Sequence, residues 1–108
     1  MITYNKLVRD KIIDKIENSW GTLVYHIATD EEFVTKLNEK LIEEATELTQ
    51  AKTIEQIKEE LVDTLKVIET IMSLYNIKER ELVVIKYKKD EIAGVFDKRI
   101  ILDEASEY

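Results

Sequence analysis

Residues 43–63 read EEATELTQAKTIEQIKEELVD, and the reading of this stretch decides the fold. It holds two acidic pairs, Glu44 with Glu47 and Glu60 with Asp63. In an α-helix each pair lies one turn apart, so its two carboxylates project to the same side and can reach one cation. Two such helices packed antiparallel offer an all-oxygen cage suited to a hard divalent ion, Mg²⁺ or Mn²⁺.

Acidic pairs at this spacing are not rare in a chain with 23 Asp and Glu, and Asp14/Glu17 and Glu104/Glu107 repeat it. Position separates the middle two from the others. At about 100° per residue, Phe33, Leu37, Leu41, Ala45 and Leu48 form one apolar stripe, and Glu44 falls within roughly 20° of its centre. A carboxylate there is costly unless paired or metal-bound. On the following helix Ile54, Ile57, Leu61, Leu65, Ile68 and Met72 make the main stripe. A second row, Glu60, Asp63, Val67, Ile71 and Leu74, begins acidic and continues apolar, which predicts a buried seam starting at the two carboxylates. The alternative for these pairs is a solvated acidic face.

Working outward, Thr29 with Glu32 and Thr53 with Gln56 are capping boxes. They predict helices over about 30–52 and 54–75, joined by a connection short enough to force an antiparallel hairpin. Glu44 and Glu47 then stand level with Glu60 and Asp63 across the turn. Asn76 reads as a left-handed helix-ending residue. A further helix is expected from Ile77 to about Ala93, stopped by Gly94, and an N-terminal one from about Val8 to the break at Trp20 and Gly21. Segments 22–28 and 99–103 are β-branched enough to be short and extended, as strands or links. His26, the sole histidine, reads as a structural hydrogen-bonder. The fold class is therefore all-α, a helical bundle built on the hairpin.

At 108 residues without a linker or repeat, one domain over 1–108 is expected. The chain has no cysteine, which removes disulfides and thiolate metal sites, and no proline. No apolar run approaches a membrane span and no signal-peptide pattern opens the chain, so a cytoplasmic protein without membrane association is expected. A net charge of −7 argues against nucleic acid as a partner. Lys6, Arg9 and Lys11 near a helix N-terminus oppose the macrodipole, which points to an anionic ligand or a carboxylate neighbour. Lys86, Lys88 and Lys89 form the densest basic cluster.

The pattern Glu43-Glu44-xx-Glu47, twelve residues, Glu60-xx-Asp63, with the opening NKLVRDKI and the closing GVFDKRIIL, resembles the MazG-like all-α nucleoside triphosphate pyrophosphohydrolases. Within them it is closest in pattern to the phosphoribosyl-ATP pyrophosphohydrolase-like branch. The resemblance implies that Glu44, Glu47, Glu60 and Asp63 bind Mg²⁺, that a nucleoside triphosphate is cut between its α and β phosphates, and that the chain forms a homodimer or a dimer of dimers. Glu47 or Glu43 would orient or deprotonate the attacking water. Lys6, Arg9, Lys40 and Lys89 could meet phosphate charge. The branch often has proline where Ile13 stands and Arg-Gly-Gly-Phe where this chain has Ala93-Gly94-Val95-Phe96, which leaves Lys89, Lys98 and Arg99 as substitutes for the missing arginine. Two alternatives stand beside this reading: phosphoribosyl-ATP as the substrate, and a non-enzymatic helical module whose second apolar face binds a protein. A di-iron carboxylate bundle is set aside, because no Glu-xx-His motif is present.

Overall fold

A computed structural model of the chain describes residues 1–107. It is all-α: α1 spans Ile12–Asn18, α2 Asp30–Gln50, α3 Ile54–Leu74 and α4 Glu79–Ala93, with no strand among the described residues. The chain divides into two compact units, the first Met1–Ile71 and the second beginning at Met72.

In the first unit the helix ends follow local chemistry. Thr29 Oγ1 accepts the Glu32 N–H at 3.2 Å, and Asp30, Glu31 and Glu32 complement the dipole of α2. Glu32 does not close its box; its carboxylate accepts from His26 Nε2 at 2.8 Å instead, which gives the histidine its structural partner. Only residues 51–53 separate α2 from α3. There Thr53 Oγ1 accepts the Gln56 N–H at 3.1 Å, while Gln56 Oε1 accepts the Lys52 N–H at 2.8 Å, so one amide of the first turn of α3 and one of the link are satisfied.

α1 begins later than its periodicity suggests, at Ile12 rather than Val8. Residues 4–9 are irregular because their side chains and carbonyls serve long-range partners described below. α1 closes with two crossed bonds, Gly21 N–H to the Ile16 carbonyl at 2.9 Å and Trp20 N–H to the Glu17 carbonyl at 3.1 Å. That arrangement needs a left-handed residue at Trp20, whose φ is 60°, and a bare Cα at Gly21, where a Cβ would stand 2.7 Å from Ile16 Cγ2.

Burial corrects one expectation about α3. The stripe of α2 faces inward as predicted, with Leu37 2 % exposed, but on α3 the inward row is Glu60, Asp63, Thr64, Val67 and Ile71, with Val67 7 % exposed. The main apolar row is largely open: Leu61 is 44 % and Leu65 55 % exposed and Ile54 is exposed as well, while Ile57 and Met72 are half-buried. The two rows lie roughly 100° apart. Facing α3 toward α2 with its acidic row places the carboxylates inside and leaves the leucines outside. Thr64 is tolerated inside because its hydroxyl donates to the Glu60 carbonyl at 2.7 Å.

In the second unit Asn76, at φ 54°, ends α3 in the expected left-handed conformation; Ile77 N–H reaches the Met72 carbonyl at 2.8 Å and Asn76 N–H the Ser73 carbonyl at 3.2 Å. Because Ile77 is used in that closure, α4 starts at Glu79 rather than at Ile77. The Glu81 carboxylate accepts the Lys78 N–H at 2.7 Å. Gly94, at φ 84°, stops α4. The segments at 22–28 and 99–103 are irregular, with no β-bridge, and Arg99 itself turns the chain at φ 57°. With no second strand to pair with, their backbone groups have no ladder to join.

Candidate metal centre

The inward rows of α2 and α3 bring three of the four expected carboxylates together. One oxygen each of Glu44, Glu47 and Glu60 lies within 4.8 Å of the others, close enough for a single ion to touch all three. Glu44 is 6 % exposed and is the one buried charged residue among the described residues. Glu60 is half-buried and Glu47 exposed, so the group runs from the interior to the surface. Enclosed Glu44 Oε2 and Glu60 Oε2 have no hydrogen-bond partner. Buried carboxylate oxygens are expected to be satisfied, and two orphaned ones on members of the same group fit a hard cation that the group would share.

Charge explains the protonation behaviour. Burial pushes the Glu44 carboxyl above its ordinary value, aided by the negative charges of Glu47 and Asp63 and opposed by the Lys40 ammonium. Glu60 is likewise raised, by loss of solvation first and then by Glu47, Glu44 and Asp63. Like charges held this close resist joint ionisation unless a cation enters. Glu43 behaves in the opposite way. Partial burial pushes it up, but the hydrogen bond from Lys6 and the charge of Lys40 together outweigh that, and its carboxyl is lowered.

Asp63, the fourth expected ligand, is not in the three-residue group. It lies one turn along α3 from Glu60 and is held by Arg9, whose Nη2 donates to Oδ1 at 2.8 Å. Lys6 Nζ meets Glu43 Oε1 at 3.3 Å, and Lys40, itself largely enclosed, stands 3.5 Å from Glu43 Oε2 and 3.4 Å from Glu44 Oε1. Lys6, Arg9 and Lys40, three of the cations expected to meet phosphate, thus have carboxylate partners here, which for Lys6 and Arg9 is the other outcome the N-terminal charge pattern allows. Lys36 escaped the sequence reading: its Nζ donates to the Asn5 carbonyl at 2.9 Å. Nothing in its spacing signals a backbone acceptor 31 residues away. Lys89, Lys98 and Arg99 belong to the second unit, are exposed, and form no ion pair among the described residues.

Beside the carboxylates an open cleft of about 370 Å³ is lined by Glu47, Gln50, Ala51, Gln56, Glu59 and Glu60. It gives a ligand access to the exposed end of the group. No helix among the described residues is long and apolar enough to cross a membrane. No model of a known protein family matches the chain, and neither a curated protein nor a solved structure matches it.

Proposed function

We propose that this chain is a Mg²⁺-dependent nucleoside triphosphate pyrophosphohydrolase of the MazG-like type, which hydrolyses the bond between the α and β phosphates to give a nucleoside monophosphate and pyrophosphate. The observation that carries the reading is the buried Glu44, which has an unpartnered Oε2 and brings one carboxylate oxygen within 4.8 Å of Glu47 and Glu60. The proposal includes the antiparallel α2–α3 hairpin as the frame of a helical bundle, Mn²⁺ as an alternative ion, and a cytoplasmic house-cleaning role on the nucleotide pool.

In this reading Glu44, Glu47 and Glu60 hold the ion, with Asp63 as a fourth ligand once Arg9 releases it. When bound, the ion neutralises phosphate oxygens and acidifies a water. Of the two candidates for orienting or deprotonating that water, Glu43 is held by two ammoniums that lower its basicity, so the role goes to Glu47 at the open end of the group. Lys40 and Lys6 offset phosphate charge, and the cleft's Gln50 and Gln56 offer amide groups to a base or sugar.

The test is pyrophosphate release with Mg²⁺ over canonical, deoxy and damaged nucleoside triphosphates and phosphoribosyl-ATP. Release from at least one, lost with EDTA and in Glu44→Gln, is the expected result; no release from any overturns the enzymatic reading. The exposed Leu61 and Leu65 favour one other reading, a helical module that docks a protein through α3. Such a module has no reason to gain thermal stability from Mg²⁺.

A further inference from the structure

The irregular segment 4–9 crosses to the acidic face of α2 and α3 and is fastened there at three points. Lys36 Nζ holds the Asn5 carbonyl at 2.9 Å, Lys6 Nζ meets Glu43 Oε1 at 3.3 Å, and Arg9 Nη2 meets Asp63 Oδ1 at 2.8 Å. These partners are 31, 37 and 54 residues apart in sequence, so the fastening is tertiary and does not arise from a local turn. Asp63 stands one helical turn from Glu60 on the inward row, where a fourth carboxylate of the group belongs. A guanidinium occupies it instead.

We propose that residues 4–9 form a strap in which Arg9 competes with the divalent ion for Asp63 and, when the ion takes that carboxylate, turns its planar fork to the substrate's phosphate. The inference rests on the metal reading above. The contact suits exchange: both partners are more than a third exposed, so the pair is weakly held. A divalent ion carries twice the charge of Arg9, and guanidinium binds phosphate oxygens in two parallel bonds. Lys6 and Lys36 keep the segment over the site while Arg9 moves. Ion and phosphate then favour each other's binding, since each relieves the other's competitor.

The experiment titrates Mn²⁺ into the full chain as wild type, Arg9→Gln, Arg9→Lys and Glu44→Gln, counting free ion by electron paramagnetic resonance, and measures binding of Mg²⁺-pyrophosphate to each. Arg9→Gln is expected to bind Mn²⁺ alone about two- to fivefold more tightly than wild type, and Mg²⁺-pyrophosphate about tenfold more weakly. Arg9→Lys restores most of the competition for Mn²⁺ but little of the pyrophosphate affinity, because ammonium lacks the fork. Wild-type Mn²⁺ binding that Glu44→Gln abolishes and Arg9→Gln leaves unchanged, or pyrophosphate affinity that Arg9→Gln leaves unchanged, overturns the strap alone. No Mn²⁺ binding by the wild type overturns the metal centre and the strap with it.

Discussion

Glu44 sits where its helix calls for leucine, and the consequence can be measured without any ion. Its carboxyl and that of Glu60 are raised above 4.5, so the folded state holds these protons more tightly than the unfolded state does. Their penalty on folding is therefore present above the raised values and lifts as pH falls through them. Glu43, lowered, works in reverse and withdraws stability as pH falls below its own value. In EDTA the wild type is expected to melt higher near pH 5 than at about pH 7 and to lose stability again at lower pH. Glu44→Gln, which cannot ionise, should melt no lower than wild type at pH 7 and should flatten the rise toward pH 5; calorimetry that finds it several degrees less stable contradicts the strained carboxylate. Glu44 was legible in the sequence because its anomaly is local, a charge within an apolar stripe of one helix. The Arg9–Asp63 pair was not, because a partner 54 residues away is set by how chain segments meet.

At the scale of elements, α2 and α3 were readable nearly to the residue, since Thr29, Thr53 and Asn76 act through bonds within a few residues of themselves. The start of α4 was missed because Ile77 has the propensity for helix but is used to close α3. The seam that begins at Glu60 and Asp63 was legible on α3, but the Leu61–Leu65 row was expected inward as well, because hydrophobicity alone favours it and does not say which of two neighbouring rows is covered. Enclosing Glu60 costs it solvation. Leu37 and Val67 then carry much of the packing in the first unit. Leu37→Ala is expected to destabilise by about 2–5 kcal/mol, read as a fall in denaturation midpoint with an unchanged slope. A change under about 0.5 kcal/mol, the size of a surface substitution, would show that the site is not a core position.

For the molecule as a whole, we propose that the open apolar residues of α3 pair two copies of the chain, a two-fold dimer being the commonest arrangement and a dimer of dimers its extension. The surface proposed for it is Leu61, Val62 and Leu65, which are exposed, whereas Val67 is already buried within one chain. Leu65→Glu should shift light scattering at micromolar concentration from dimer to monomer, and a wild type that scatters as a stable monomer refutes the dimer. The claim on which the rest depends is that Glu44, Glu47 and Glu60 take a divalent ion. It is tested most directly by thermal unfolding with and without Mg²⁺, because an ion that binds only the folded state adds about 2.7 kcal/mol at a hundred times its dissociation constant. Wild type should melt several degrees higher with saturating Mg²⁺ while Glu44→Gln is unmoved; equal melting of wild type with Mg²⁺ and with EDTA contradicts the metal centre.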